Sequence, residues 1–192
     1  MSGSIRSGAG SAPDELVVIR AQTPASAREV RELLRTLADA GEQTRDADGV
    51  RRGRTWAWLG ELEVPDGLSE NERVVEHDRV GRLAVRLAVD KTLCIGDSRS
   101  VRALHQGAVM EGSWGDEVRI VDTATAARDL VREQPDWRPT APDVILVAAA
   151  TSEIAALLDE LATDLALPVR DRAPADGAPP DGPPPNETQD AT

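Results

Sequence analysis

Few residues in this chain could do chemistry, and they are scattered along it. Glu61 and Glu63, in LGELEVPDG, leave a short apolar run at a point where a carboxylate could coordinate a cation or accept an amine proton. Solvated turn carboxylates are the commoner origin of such a pair. In IGDSRS, Gly96 ends an apolar run and the amides of Ser98 to Ser100 open a helix with Arg99 nearby, the best anion site in the sequence. Asp97 puts a negative charge at the same mouth, so Ser98 reads first as a helix cap. His77, mid-helix in VVEHDRVG, and His105, near the end of the next helix, suit packing or a helix C-terminus better than base catalysis. Cys94 is the single cysteine, and its apolar neighbours in TLCIG make it a buried structural thiol. Two histidines and one cysteine, far apart, offer no metal-ligand spacing. GxxxxGK[ST] and GxGxxG are both absent, and no nucleophile elbow is paired with a base. The last cluster is LHQGAVMEGSWG, Leu104 to Gly115, in which Gly107 reads as a helix stop and Trp114 as a sheet-end cover or a partner anchor.

The elements that must position these residues alternate. ELVVI (15–19), RTWAWLG (54–60), KTLCIG (91–96), EVRIV (117–121) and DVILVAA (143–149) are short apolar runs with strand character. Amphipathic stretches follow each of them. The first has Thr23 as cap, Pro24 in the first turn and Gly41 at the end; the second opens on Ser69 with Glu72 at capping-box spacing. The others run from Ser98 to about Gln106, over 123–133 and over 152–166. This alternation predicts an α/β fold, a Rossmann-like three-layer sandwich with a mostly parallel sheet and helices on both faces. Ligands in such sheets sit beyond the carboxyl ends of the strands, so the loops that matter are 20–26, 61–69, 96–100, 122–125 and 148–153.

Composition narrows the function classes. A formal net charge of −12 over 192 residues argues against nucleic acid and anionic membrane surfaces as partners, since phosphate affinity rests on Lys and Arg. No apolar run approaches the length of a membrane span, and MSGSIRSGAGSAP lacks the apolar centre of a secretory leader; a cytoplasmic location is expected. Phe and Tyr are absent, so four Trp are the only large aromatics available to the core. The Ser/Gly/Ala-rich residues 1–13 and the Pro/Gly/Asp-rich residues 168–192 are expected to be disordered, leaving one domain over 14–167.

From about Leu16 to Leu161 the chain resembles the C-terminal domain of the Mur ligases, most closely the one that adds D-alanyl-D-alanine to UDP-N-acetylmuramoyl-tripeptide. The residues that carry the resemblance are Leu59-Gly60-Glu61-Leu62, then Glu76, His77 and Gly81, then Gly107 to Val109 and Glu111 to Gly115. The last segment is the most specific. The resemblance covers one domain of a three-domain enzyme; the UDP-sugar-peptide domain and the ATPase domain have no counterpart in it. Two ligand loops also depart from the family pattern. Where the family carries Asp-Ala-Tyr-Asn-Ala-Asn-Pro against the nucleotide, this chain has VIRAQTP, keeping Pro24 and the Ser26 that follows. Where the family carries Lys-Gly-Ser-Arg facing the incoming dipeptide, this chain has Ala148, Ala149, Ala150 and Thr151.

The resemblance therefore implies a stand-alone, catalytically inactive relative, a binding or regulatory module linked to peptidoglycan precursor synthesis. Its candidate binding residues are Glu61, Ser98, Arg99 and Trp114, with no catalytic and no metal residue. The family uses ATP and magnesium; no cofactor is expected for this chain. The partner expected is a protein, such as a Mur ligase or another protein of peptidoglycan synthesis, and neither nucleic acid nor membrane. Two rivals stand beside this reading: a component completing a split ligase in trans, and an unrelated small-molecule-binding Rossmann-like protein. The alanine run at 148–150 argues against the trans reading.

Overall fold

A computed structural model of the chain describes residues 15–113 and 115–172. Trp114 and the two terminal stretches, 1–14 and 173–192, lie outside the described residues. Strands β1 (Leu16–Arg20), β2 (Thr55–Leu59), β3 (Lys91–Ile95), β4 (Val118–Val121), β5 (Val144–Ala148) and β6 (Val169–Arg172) alternate with helices α1 (Ala27–Glu42), α2 (Glu70–Arg86), α3 (Arg99–Met110), α4 (Ala124–Glu133) and α5 (Glu153–Asp164). A 3-10 turn, Pro135–Trp137, follows α4. All six strands are parallel, in the order β4-β3-β2-β5-β1-β6. The expected Rossmann-like α/β architecture is present, with a sheet that is wholly parallel.

Parallel strands covered on both faces must be apolar throughout, which is why TWAWL of β2 and VILVA of β5 are buried at every position. Alternate residues then serve opposite layers. Val17, Ile19, Ala57, Leu59, Cys94 and Leu146 pack with α1, α2 and α3. Leu16, Val18, Trp56, Trp58, Leu93 and Ile145 pack with α4 and α5. Trp56, Trp58 and Trp137, the tryptophans among the described residues, all fall in the second layer. Trp56 meets Trp137 edge to face, with ring centroids 6.4 Å apart, and donates its indole N–H to Asp143 Oδ2 at 2.8 Å. Asp143 also accepts from the amides of Arg54 and Thr140, so one buried carboxylate ties the amino edge of the sheet together. Cys94 lies fully buried in β3, and burial pushes its thiol up to about 12.

The layer without tryptophan gains density from glycine instead. A Cβ on Gly81 of α2 would stand 1.9 Å from the Leu104 carbonyl oxygen, and one on Gly107 of α3 would stand 2.2 Å from that of Asp78. Each glycine admits the backbone of the other helix. Gly107 is thus not the helix stop read from the sequence. The helix runs on to Met110, and the turn is made by Gly112 at φ 112°.

Two further boundaries differ from the sequence reading. α1 is capped by Ser26, which accepts from the Glu29 amide, and not by Thr23. Residue 25 is drawn into the loops around it, since its amide donates to Ala149 O and its carbonyl accepts from Glu63; the helix cannot begin before them. The domain also continues past residue 167, where a disordered tail was expected to start. Val169–Arg172 forms β6 against β1, an edge strand whose Arg170 and Asp171 are exposed, so its composition carried no apolar signal.

Candidate functional site

The carboxyl ends of β2, β3, β4 and β5 open into a small cleft of about 170 Å³. Two of the four candidate residues reach it. Glu61 enters from the turn after β2 and Ser98 from the start of α3. Asp97, Asp122 and Glu153 complete a ring of four exposed carboxylates, and no Lys or Arg lines the cleft. Ala149, Ala150 and Thr151 form the wall beside Glu61, with Ala150 N donating to Glu61 O at 2.7 Å. The carboxylates surround the cleft without converging: among the described residues no group of three His, Cys, Asp or Glu could hold a metal ion.

Two of the three helix starts that line this cleft, those of α3 and α4, are occupied by side-chain caps, whereas Ser152 makes no such bond at the start of α5. Ser98 Oγ accepts from the Val101 amide at 3.2 Å, and Thr123 Oγ1 accepts from Ala126 at 3.1 Å. Ser98 is therefore a cap, with its hydroxyl spent on its own helix. Arg99 does not enter the cleft. It points to the outer groove between α2 and α3 and pairs with Glu70 at 2.8 Å, both side chains more than 60% exposed. A serine and an arginine adjacent in sequence face different surfaces because successive helical residues are turned about 100° apart. Trp114, the fourth candidate, lies outside the described residues.

Beside the cleft, between β2, β5 and β1, the helices following neighbouring strands depart to opposite faces of the sheet, and such a switch point ordinarily leaves a crevice for a ligand. Main chain fills it here. Gly60 N donates to Ala148 O, Ala150 N to Glu61 O, Ala25 N to Ala149 O, and Glu63 exchanges two bonds with Ala25 and Ala27. Ser26 and Glu63 form an isolated parallel bridge in the same seam.

His77 explains how that seam is held. It is 1% exposed, and both ring nitrogens are engaged. The Leu62 amide donates to Nε2 at 3.0 Å, and Nδ1 lies 2.7 Å from the Arg73 carbonyl. The Leu62 N–H requires Nε2 to be unprotonated, so Nδ1 carries the proton and the ring is neutral. Burial holds its pKa below the usual histidine range, opposed by the Arg73 carbonyl and by the charges of Glu61 and Glu76. A packing role was the sequence reading; the specific tie to the Gly60–Leu62 turn was not. The only signal for it is a histidine on the apolar side of an otherwise charged helix.

The helix α1 side of the edge carries a wider depression, of about 610 Å³, where the loop Arg20–Ser26 meets α1. Arg20 is bound by Asp159 and Asp171 at 2.6 and 2.9 Å, and Gln22 N by Glu29 Oε1 at 2.8 Å. The polar groups of this loop are largely turned onto the protein itself.

No family model matches the chain. It is 41% identical over 145 residues to the UDP-N-acetylmuramoyl-tripeptide--D-alanyl-D-alanine ligase of Mycobacterium leprae (strain TN), a match covering 75% of this chain and 26% of that enzyme. The corresponding ligase of Mycobacterium tuberculosis (strain ATCC 25618 / H37Rv) is 40% identical over 121 residues, 58% of this chain and 22% of the enzyme. Among solved structures, the UDP-N-acetylmuramoylalanyl-D-glutamyl-2,6-diaminopimelate--D-alanyl-D-alanyl ligase of Acinetobacter baumannii aligns with a TM-score of 0.48 and 15% identity, over 74% of this chain and 25% of that one. The chain thus spans about a quarter of the length of the curated relatives it matches, and over that quarter it is homologous to the C-terminal region of the D-alanyl-D-alanine-adding Mur ligase.

Proposed function

We propose that this chain is a catalytically inactive relative of that ligase domain, serving as a cytoplasmic binding or regulatory module in peptidoglycan precursor synthesis. The observation that carries the reading is the carboxyl-edge cleft. Its wall is Ala149, Ala150 and Thr151, its rim is four carboxylates, and no cation lines it. A dipeptide carboxylate or a nucleotide phosphate needs Arg or Lys there, each charge-assisted hydrogen bond contributing about 1.5–3 kcal/mol. Here such an anion would meet like charge instead. The backbone seam between the loops after β1, β2 and β5 favours the same reading, because the amides that could have met a ligand are paired with one another.

Completion of a split ligase in trans is disfavoured on the same ground, since the partner would have to supply the cation missing from this domain's own loop. The test is calorimetric titration of the purified chain with Mg-ATP and with D-alanyl-D-alanine, alongside an assay for amide formation from UDP-muramoyl tripeptide. Neither titration should give heat of binding at millimolar ligand, and no product should form. Magnesium-dependent phosphate release that requires the tripeptide overturns the proposal.

A further inference from the structure

We propose that the groove between α2 and α3 docks an acidic amphipathic helix of a protein partner. The inference rests on the reading of this chain as a binding module and says which surface does the binding. The groove measures about 490 Å³; Val74, Val75 and Ala103 form its apolar part, and Arg99 and Arg102 flank it. Four large apolar side chains are exposed among the described residues, and three of them lie on this helix pair: Val75 (46%), Val109 (39%) and Met110 (62%). Val109 and Met110 stand one turn beyond Gln106, which itself lines the groove, so the apolar strip continues along α3. A strip at helical spacing between two roughly parallel helices is the surface that accepts a third helix.

Charge selects the occupant. Asp78, the acidic residue of the groove, is taken by Arg82 at 2.7 Å. Arg102 has no carboxylate partner among the described residues, and Arg99 has only its exposed pair with Glu70, of a kind that contributes little. The charge left available is positive, on a chain whose formal net charge is −12. A second copy of this chain would bring the same large negative charge and the same arginines, so self-association is opposed where an acidic partner helix is attracted. The groove is also rigid before anything binds, because Gly81 and Gly107 lock the two helices backbone to backbone beneath it. Less ordering is then needed on association.

Two synthetic peptides test this. Both carry leucines at i, i+3, i+4 and i+7; one has glutamates on the flanks of the stripe and the other lysines. Fluorescence anisotropy at low salt should show the glutamate peptide binding about tenfold tighter. Amide NMR shifts should concentrate at residues 74–78 and 99–106. Arg102→Glu should reverse the preference, and Val75→Asp should abolish binding of both peptides with an unchanged melting temperature, since both sites are exposed. Equal binding of the two peptides, binding by neither, or indifference to Arg102→Glu overturns the proposal. So does a concentration-dependent dimer in sedimentation that Val75→Asp dissolves, which would make a second copy the occupant. Mg-ATP or dipeptide binding would instead refute the inactive-module reading and leave the peptide result to stand separately.

Discussion

The α2–α3 pair and the carboxyl edge of the sheet solve opposite problems with the same kind of material. In the pair, side chains are reduced to hydrogen so that two backbones can touch: Gly81 faces the Leu104 carbonyl and Gly107 that of Asp78. At the edge, side chains are reduced to methyl groups at Ala148, Ala149 and Ala150, and the loops join by backbone hydrogen bonds. Smallness in the first case makes a rigid joint with an outward surface. In the second it removes the groups that would have gripped a ligand. A run of small residues is therefore no evidence of function either way until the atoms facing it are known.

The sharpest way to break the comparison is to put a methyl group into the joint. Gly81→Ala or Gly107→Ala drives a Cβ into main chain that cannot move aside, and each should cost about 3 kcal/mol in urea unfolding. A loss below about 1 kcal/mol would show that the helices slide apart freely and that the groove above them is not preformed.

His77 comes next, because it ties the joint to the edge. His77→Ala leaves the buried Leu62 amide without an acceptor and should cost about 2 kcal/mol or more. The same residue sets a pH dependence. Its folded-state pKa lies below the ordinary histidine value, so on acidification the unfolded chain takes up the proton first. Stability is full above the ordinary value, falls as pH drops from there towards the lowered one, and levels off below it. His105, half-buried and lowered by burial, contributes in the same direction. His77→Gln should flatten most of this slope and His105→Gln little of it; the reverse order would remove His77 from its place as the tie.

Smaller effects separate the candidate residues themselves. Ser98→Ala should cost about 1 kcal/mol through loss of the α3 cap, with no change in any ligand titration. Arg99→Ala should change stability by less than about 0.5 kcal/mol, as its pair with Glu70 is exposed. If the two values were exchanged, the Arg99–Glu70 pair rather than the Ser98 cap would be what holds the start of α3.

Most of the fold was legible because parallel strands buried on both faces leave continuous apolar runs, and the Ser69–Glu72 capping box was readable at its spacing. β6 was not, since an edge strand reading VRDR needs only one apolar residue. The helix stop at Gly107 failed for a related reason. Glycine in sequence announces either a backbone turn or a close approach, and only the Asp78 carbonyl opposite it decides between them. At the edge, the alanine run, Glu61 and the loops 122–125 and 148–153 were visible, but that Asp122 and Glu153 meet Glu61 and Asp97 around one cleft depends on the strand order, which apolar runs do not encode. Arg99 was assigned to the wrong surface because its proximity to Ser98 along the chain is not proximity on the helix.

Cys94 has a use that none of these comparisons needs. It is the single thiol of the chain, it stands in β3, one strand in from the β4 edge of the sheet, and burial both raises its pKa to about 12 and closes it to reagents in the folded state. A thiol-specific dye added in excess can reach it only when β3 and the α2–α3 layer packed over it come apart. At dye concentrations where labelling outpaces reclosing, the rate counts those openings in native buffer and without a substitution, so the wild-type chain already carries its own clock for how often this layer comes apart.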